Sequence, residues 1–455
     1  MTASQGCPVL LVGDTLNIGG AERQLTEVAC GLAHSQLYAS ALSRNGHWKR
    51  PQESGRTAKS SMHCSSQSVF GTTPLRRRFE IIRTTLRWLP AYALQRLTRR
   101  SQPSQGIHLI IAVADHFEPA FLRDRPGNYA SQDEQRQRVA EWCRRYPGVA
   151  DDFRDSDGYP FRHTYFYPAE QHDKAVVEPL AEHCRAGWGE IEIHLHHGIP
   201  TPDTAENTRA LLTRFRDALA QLGCLSRWDG QGPPRYAFVH GNWALANSAG
   251  GRYCGVDEEM EILSETGCYA DFTLPSAQSP AQVTKINALY ECVPPLRRRA
   301  PHRSGRDLRA GRPPAVFPLI IQGPLGLDFH RRSGLGQLVP GVEEGGLTGG
   351  RPASMRRLAL WTRAGITVKG RPEWVFIKLH CHGMDSRDQG AVLGDPTREF
   401  LAALTSDARQ YGYGVHFVTA REMANIALAA CDGHSGSPGD FRNYRLRLIA
   451  SPRLA

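Results

Sequence analysis

From residue 106 onward, short apolar or alternating stretches are separated by longer ones with helical spacing. Strand patterns fall at 107–114, 162–167, 190–196, 236–240, 268–273, 317–322, 374–380 and 414–418. Helical patterns fall at 132–146, 174–186, 204–222, 256–266, 353–364, 396–411 and 420–430. The clearest is 204–222, where Leu211, Leu212, Phe215, Leu219 and Leu222 form one stripe. Asp203 and Glu206 stand at capping-box spacing before it, and Gly223 ends it. Repeated strand–helix units imply an α/β fold with a mostly parallel sheet. Seven or eight strands fit a single barrel spanning 106–432, followed by a tail at 433–455. The Pro/Gly/Arg-rich stretch 293–350 interrupts the alternation and reads as an insertion, either loops over the barrel mouth or a mobile lid.

The N-terminal quarter reads differently, as a largely irregular region. Residues 8–33, "PVLLVGDTLNIGGAERQLTEVACGLA", give a strand, a Gly-Gly turn and a helix. This resembles the opening unit of GT-B glycosyltransferases, but only within 1–43, too little chain for a nucleotide-binding domain. Residues 44–75 are polar and aperiodic, as expected of a disordered linker. Residues 75–100 spell a basic amphipathic helix broken near Pro90. It reads either as a helix packed on the next domain with its arginines outward, or as a peripheral membrane contact.

Composition narrows the functional classes. No run of about 18 apolar residues exists, so no transmembrane helix is expected. The formal charge of +10 is diffuse and no nucleic-acid motif accompanies it, so nucleic acid is not an expected partner. Eleven cysteines without regular spacing suggest reduced thiols, hence the cytoplasm. Cys381 faces the helices by strand parity and reads as a core thiol.

The unusual polar residues fall at strand ends, where α/β barrels carry their active sites. They are Asp115 and His116 in "AVADHFEP"; His194, His196 and His197 in "EIEIHLHHG"; His240 in "FVHGNW"; Asp271; and His380 and His382 in "KLHCHG". Residues i and i+2 share a strand face, so His194 and His196 can hold one metal while His197 points away. Two imidazoles and a carboxylate, Asp115 being the obvious one, leave room for water, as catalytic zinc requires.

Three segments resemble the polysaccharide deacetylase family, metal-dependent carbohydrate esterases on a distorted β/α barrel. They are "LIIAVADHFEP", "GEIEIHLHHGIPTPD" and "WVFIKLHCHG", and the similarity extends over about 106–430. The resemblance implies removal of an acetyl group from an amino sugar or glycan precursor. It implies a divalent metal, zinc first, on Asp115, His194 and His196, with Asp115 as base or ligand and His380 as general acid. Where the family has a second aspartate this chain has His116, itself a potential ligand, and Glu118 can take the role of base. His240, Trp243, Asp271 and His382 are candidate substrate contacts. Two other readings compete. A glycoside hydrolase would use two of Asp115, Glu118 and Asp271 across a cleft. A carbohydrate-binding protein would use Tyr165, Tyr167, Trp243 and Tyr269 as stacking surfaces.

Overall fold

Eight strands form where the alternation is strongest. In the computed structural model these are β1 (His108–His116), β2 (His163–Pro168), β3 (Gly189–Leu195), β4 (Gln231–His240), β5 (Cys268–Asp271), β8 (Leu319–Ile321), β10 (Trp374–Cys381) and β11 (Gly414–Phe417). Three shorter ones, β6 (Leu289–Cys292), β7 (Gly305–Asp307) and β9 (Gly346–Leu347), were not legible as strands. The structure describes residues 74–99, 106–124, 129–277, 279–330 and 341–450. The glycosyltransferase-like unit of 1–43 and the polar stretch up to residue 73 lie outside the described residues. Nearly all described residues fall in one compact unit, Ala58–Asp328 with Val342–Ala455.

The sheet path runs β9-β10-β1-β2-β3-β4-β5-β8-β6-β7. It is parallel from β9 to β8, and β6 and β7 add antiparallel pairs at the far edge. β11 pairs with the first half of β1, and β2 with the second half. The path has ten strands and open ends rather than a closed ring of seven or eight. The insertion 293–350 therefore supplies edge strands as well as loops. Three-residue strands carry too little periodicity to be seen in sequence.

Parity assigns each strand residue to one of two cores. Leu109, Ile111 and Val113 of β1 face outward, to α2 (Gln132–Arg145), α3 (Lys174–His183), α4 (Ala205–Gln221), α5 (Glu259–Thr266), α6 (Met355–Arg363) and α7 (Asp395–Tyr411). Ile110, Ala112 and Ala114 face inward, with Phe166, Val239, Ala270, Ile321 and Phe376, around α8 (Ala420–Cys431). The six strands that carry these residues, with β3 between two of them, would span about 30 Å if flat at about 4.8 Å spacing, roughly three helix diameters. They share one cluster around one helix, so the sheet is curled into a half-barrel. Every residue of α8 is buried. Its polar members are paired: Arg421 with Glu190 at 2.7 Å and Glu422 with Arg162 at 2.7 Å.

Two peripheral segments dock rather than trail. α1 (Pro74–Thr98) runs unbroken through Pro90. Proline removes the bond to the carbonyl of Leu86, but Leu86 is exposed, where water can serve that carbonyl. Trp88 is fully buried against Ala277, Ile286 and Leu325. Arg99 turns inward, not outward, and donates to the carbonyls of Asn287 and Gly365. The tail is also held: Arg442 is buried between Asp155 (2.6 Å) and Asp157 (2.7 Å), and Leu446–Leu448 pairs with Ser226–Trp228. No helix among the described residues is long and apolar enough to cross a membrane.

Candidate metal centre

The parallel run brings the ends of β1, β3 and β10 to one edge, and parity decides which side chains meet there. His116 follows Ala114 and faces inward. Its ring centroid lies 4.8 Å from that of His194 and 4.7 Å from that of His382. His194 and His196 also meet, at 4.5 Å. Glu118, just past the strand, reaches into the middle. Its Oε1 lies 3.3 Å from His194 Nε2 and 3.4 Å from His196 Nε2. Glu118 belongs to two groups close enough to hold a metal, one with His194 and His196 and one with His116 and His382.

The second ring nitrogens settle the chemistry. His194 Nδ1 lies 2.9 Å from the Val239 carbonyl, which can only accept, so Nδ1 carries the proton. Nε2 then presents a lone pair to the carboxylate of Glu118. Two acceptors 3.3 Å apart repel unless a cation lies between them. His196 is held likewise: Glu170 Oε1 takes Nδ1 at 2.8 Å and Oε2 accepts from the His196 backbone N–H at 3.2 Å. His196 Nε2 is buried with no hydrogen-bond partner. Carboxylate and carbonyl partners on Nδ1 are what orient imidazoles as Nε2 metal ligands. Gly241 makes room, since a Cβ there would come within 2.2 Å of the His196 ring.

Protons can partly substitute for a metal. Burial disfavours the charged form of His196, but Glu170 and Glu118 outweigh it and hold its pKa well above the ordinary value. Burial likewise opposes ionisation of Glu118, but the neighbouring His194 and His196 outweigh it and hold its pKa well below the carboxylate range. His194 is lowered by burial and then by His196. Burial, with His382 and His194 adding to it, pushes His116 far down. Without a metal, the centre thus holds an ionised Glu118 beside a protonated His196 and neutral His116 and His194.

Asp115 is not part of this centre. It continues the outward row of Leu109, Ile111 and Val113, and it is fully buried there. Its Oδ2 lies 3.1 Å from His163 Nδ1, and its Oδ1 accepts from Gly383 N at 2.7 Å. Parity applied to the Asp115–His116 pair, as it was to the histidines, would have found this. Cys381 is buried on that outward side, as its parity implied. His240 is also turned outward, with His197, Cys254 and Glu259. Asp271 is fully buried and bonded by Thr273, and burial pushes its pKa up to about 7. Lys378, inward on β10, is buried too, which brings its pKa down to about 7 against the pull of Asp271. Trp243 is only partly buried, in a left-handed conformation at φ 57°. His380 and His382 are partly exposed and form the open side of the centre.

Some residues of the competing readings are turned away or buried. Asp115 faces away from Glu118 across the sheet, so the two cannot flank one glycosidic bond. Tyr165 and Tyr167 are fully buried and Tyr269 nearly so, which removes them as sugar platforms. Glu170 was missed by sequence reasoning because it sits beyond the end of β2, in a single helical turn at Ala169–Gln171. No family model and no curated protein matches this chain.

Proposed function

We propose that this chain is a metal-dependent hydrolase that removes an acetyl group from an amino sugar or glycan precursor. The curled parallel sheet is compatible with the distorted barrel of the polysaccharide deacetylases. One observation carries the proposal: Nε2 of His194 and of His196, each oriented through Nδ1, converge on the ionised Glu118. These three residues would hold the ion, with His116 and His382 as further donors. The nitrogen and oxygen donors suit zinc. A divalent ion bound there would lower the pKa of a coordinated water and polarise the acetyl carbonyl.

The chain's own residues supply the rest. Glu170 and the Val239 carbonyl fix the imidazole orientations. His380 is neutral at pH 7, because burial and then Lys378 hold its pKa far down. With Nδ1 unpartnered at the open side of the centre, it is placed to relay the proton lost by the attacking water to the departing amine, and its low pKa favours the donating half of that relay. Glu118 takes the ligand role that sequence reasoning gave to Asp115. Carbohydrate is the proposed partner and the cytoplasm the proposed compartment. Arg83, Arg87 and Arg96 of α1 are exposed beside Leu86 and Leu94 and would face an anionic membrane carrying a lipid-linked precursor.

The test is metal content and acetate release for the full chain, beside His194→Ala/His196→Ala. Acetate release from an N-acetylated amino-sugar oligomer by wild type, lost in the double variant together with an ion, supports the reading. An unchanged metal content in the folded double variant would overturn it.

A further inference from the structure

A second group of potential ligands lies on the other side of the β3 and β4 ends. His197 comes just after β3, and His240 ends β4. Cys254 lies in the loop that follows, and Glu259 begins α5. All four are buried, and their ligand atoms lie within 4.8 Å of one another. His197 Nε2 is 3.2 Å from His240 Nε2 and 2.8 Å from Glu259 Oε1. His240 Nε2 is 3.7 Å from Glu259 Oε1, and Cys254 Sγ is 3.6 Å from Glu259 Oε2. Ligand atoms around tetrahedral zinc lie about 3.3–3.7 Å apart, given bond lengths of about 2.0–2.3 Å. The observed separations scatter around that range.

We infer that His197, His240, Cys254 and Glu259 form a closed structural zinc site, distinct from the centre at Glu118. A thiolate and a carboxylate neutralise a divalent ion, so the site can be buried without net charge. Four protein ligands leave no position for substrate, which marks a structural rather than a catalytic site. The surroundings serve the ligands. Asp203 Oδ2 takes His197 Nδ1 at 2.9 Å, and Thr208 adds a contact at 3.1 Å. Asp203 Oδ2 is thus taken by His197 and Thr208, its Oδ1 accepts from Thr204 N and Asn207 Nδ2, and Thr204 rather than Asp203 caps α4. Backbone N–H groups of Ala246 and Val256 donate to Glu259 Oε2 (2.6 Å) and Cys254 Sγ (3.4 Å). Gly198, at φ 70°, lets the chain pass Cys254, where a Cβ would come within 2.2 Å of its carbonyl. Trp243, Ala246 and Asn247 all hold positive φ in the intervening loop, a strained path that wraps the cluster.

The competing arrangement is an ion-paired cluster with His197 protonated between Asp203 and Glu259. It leaves the His240 Nε2–H facing another N–H at 3.2 Å. The metal-bound form in turn has to lengthen one contact, the Asn242 N–H 3.2 Å from His240 Nδ1.

The experiment strips the full chain of metal and reloads it with cobalt(II) alone. A thiolate ligand gives a near-ultraviolet charge-transfer band that nitrogen and oxygen ligands do not. The band is expected in wild type, in Cys381→Ser and in His194→Ala/His196→Ala, and absent from Cys254→Ser. Where Cys254→Ser does not fold, His240→Gln, which keeps the thiol, is expected to lose or shift the band. The double variant is expected to retain one cobalt per chain, so this site stands or falls independently of the centre at Glu118. No band in cobalt-saturated wild type, a band lost in Cys381→Ser, or a band unchanged in both Cys254→Ser and His240→Gln would overturn the inference.

Discussion

Exchanging Glu170 for glutamine alters one charge outside the ligand set and leaves every proposed ligand in place. The carboxylate makes two contacts to His196, Oε1 to Nδ1 at 2.8 Å and Oε2 to the backbone N–H at 3.2 Å. A glutamine can keep one as an acceptor, but its NH2 then faces an N–H at the other. A hydrogen bond to a charged group contributes about 1.5–3 kcal/mol. Loss of such an orienting partner typically weakens a metal site about 10–100-fold, which is about 1.4–2.7 kcal/mol. The two routes agree in size. The assay is a chelator-buffered zinc titration of the purified chain at pH 8, with the closed site's ion accounted for separately. Glu170→Gln is expected to bind zinc at the Glu118 centre about 10–100-fold more weakly than wild type, with unchanged folding by circular dichroism. An affinity within about twofold of wild type would refute the reasoning, because an orienting partner is expected to cost at least tenfold. It would mean that His196 is not a ligand, or that Glu170 does not orient it.

Other expectations follow from the same contacts. Gly241→Ala drives a methyl group into the His196 ring and is expected to abolish metal uptake at Glu118 while the chain stays folded, read by metal analysis beside circular dichroism. Because His196 is held protonated by Glu170 and Glu118, metal binding must expel that proton. Affinity is therefore expected to rise by up to about tenfold per pH unit below the His196 pKa, and calorimetry in two buffers should show proton release. Glu343 is buried between Arg351 and Arg357, and although burial opposes it, Arg357 brings its pKa down to about 2. Its contribution, on the order of 3 kcal/mol, is present above the unfolded value near 4.3 and lost as pH falls through about 2. Urea unfolding should accordingly show Glu343→Gln destabilised at pH 7, with the gap from wild type closing toward pH 2. Trp88→Ala empties the pocket under α1 at about 3–5 kcal/mol; hydrogen exchange should report release of α1 while the sheet stays protected.

Much of the architecture was legible because it is local. The eight main strands and seven helices appear as periodicity in the chain, and the inward row at His194 and His196 follows from alternation alone. Parity also placed Cys381 among the outer helices and turned His197 away from its neighbours. It was not applied to Asp115, whose outward direction follows from the same rule. Its place at a strand end, and then the family resemblance, put that residue in the centre instead.

What the sequence by itself determined is the set of main elements, the inward or outward face of their strand residues, and the crowding of histidines at strand ends. Those properties depend on residues two to four positions apart. Tertiary structure alone decided which strand ends become neighbours. It made Glu118 the shared carboxylate, brought Glu170 from beyond β2 onto His196, and gathered Cys254 and Glu259 from a loop and a helix around His197 and His240. It also decided that the sheet curls around α8 and stays open. Each of these depends on contacts between residues tens to hundreds of positions apart, and neither periodicity nor composition carries that information.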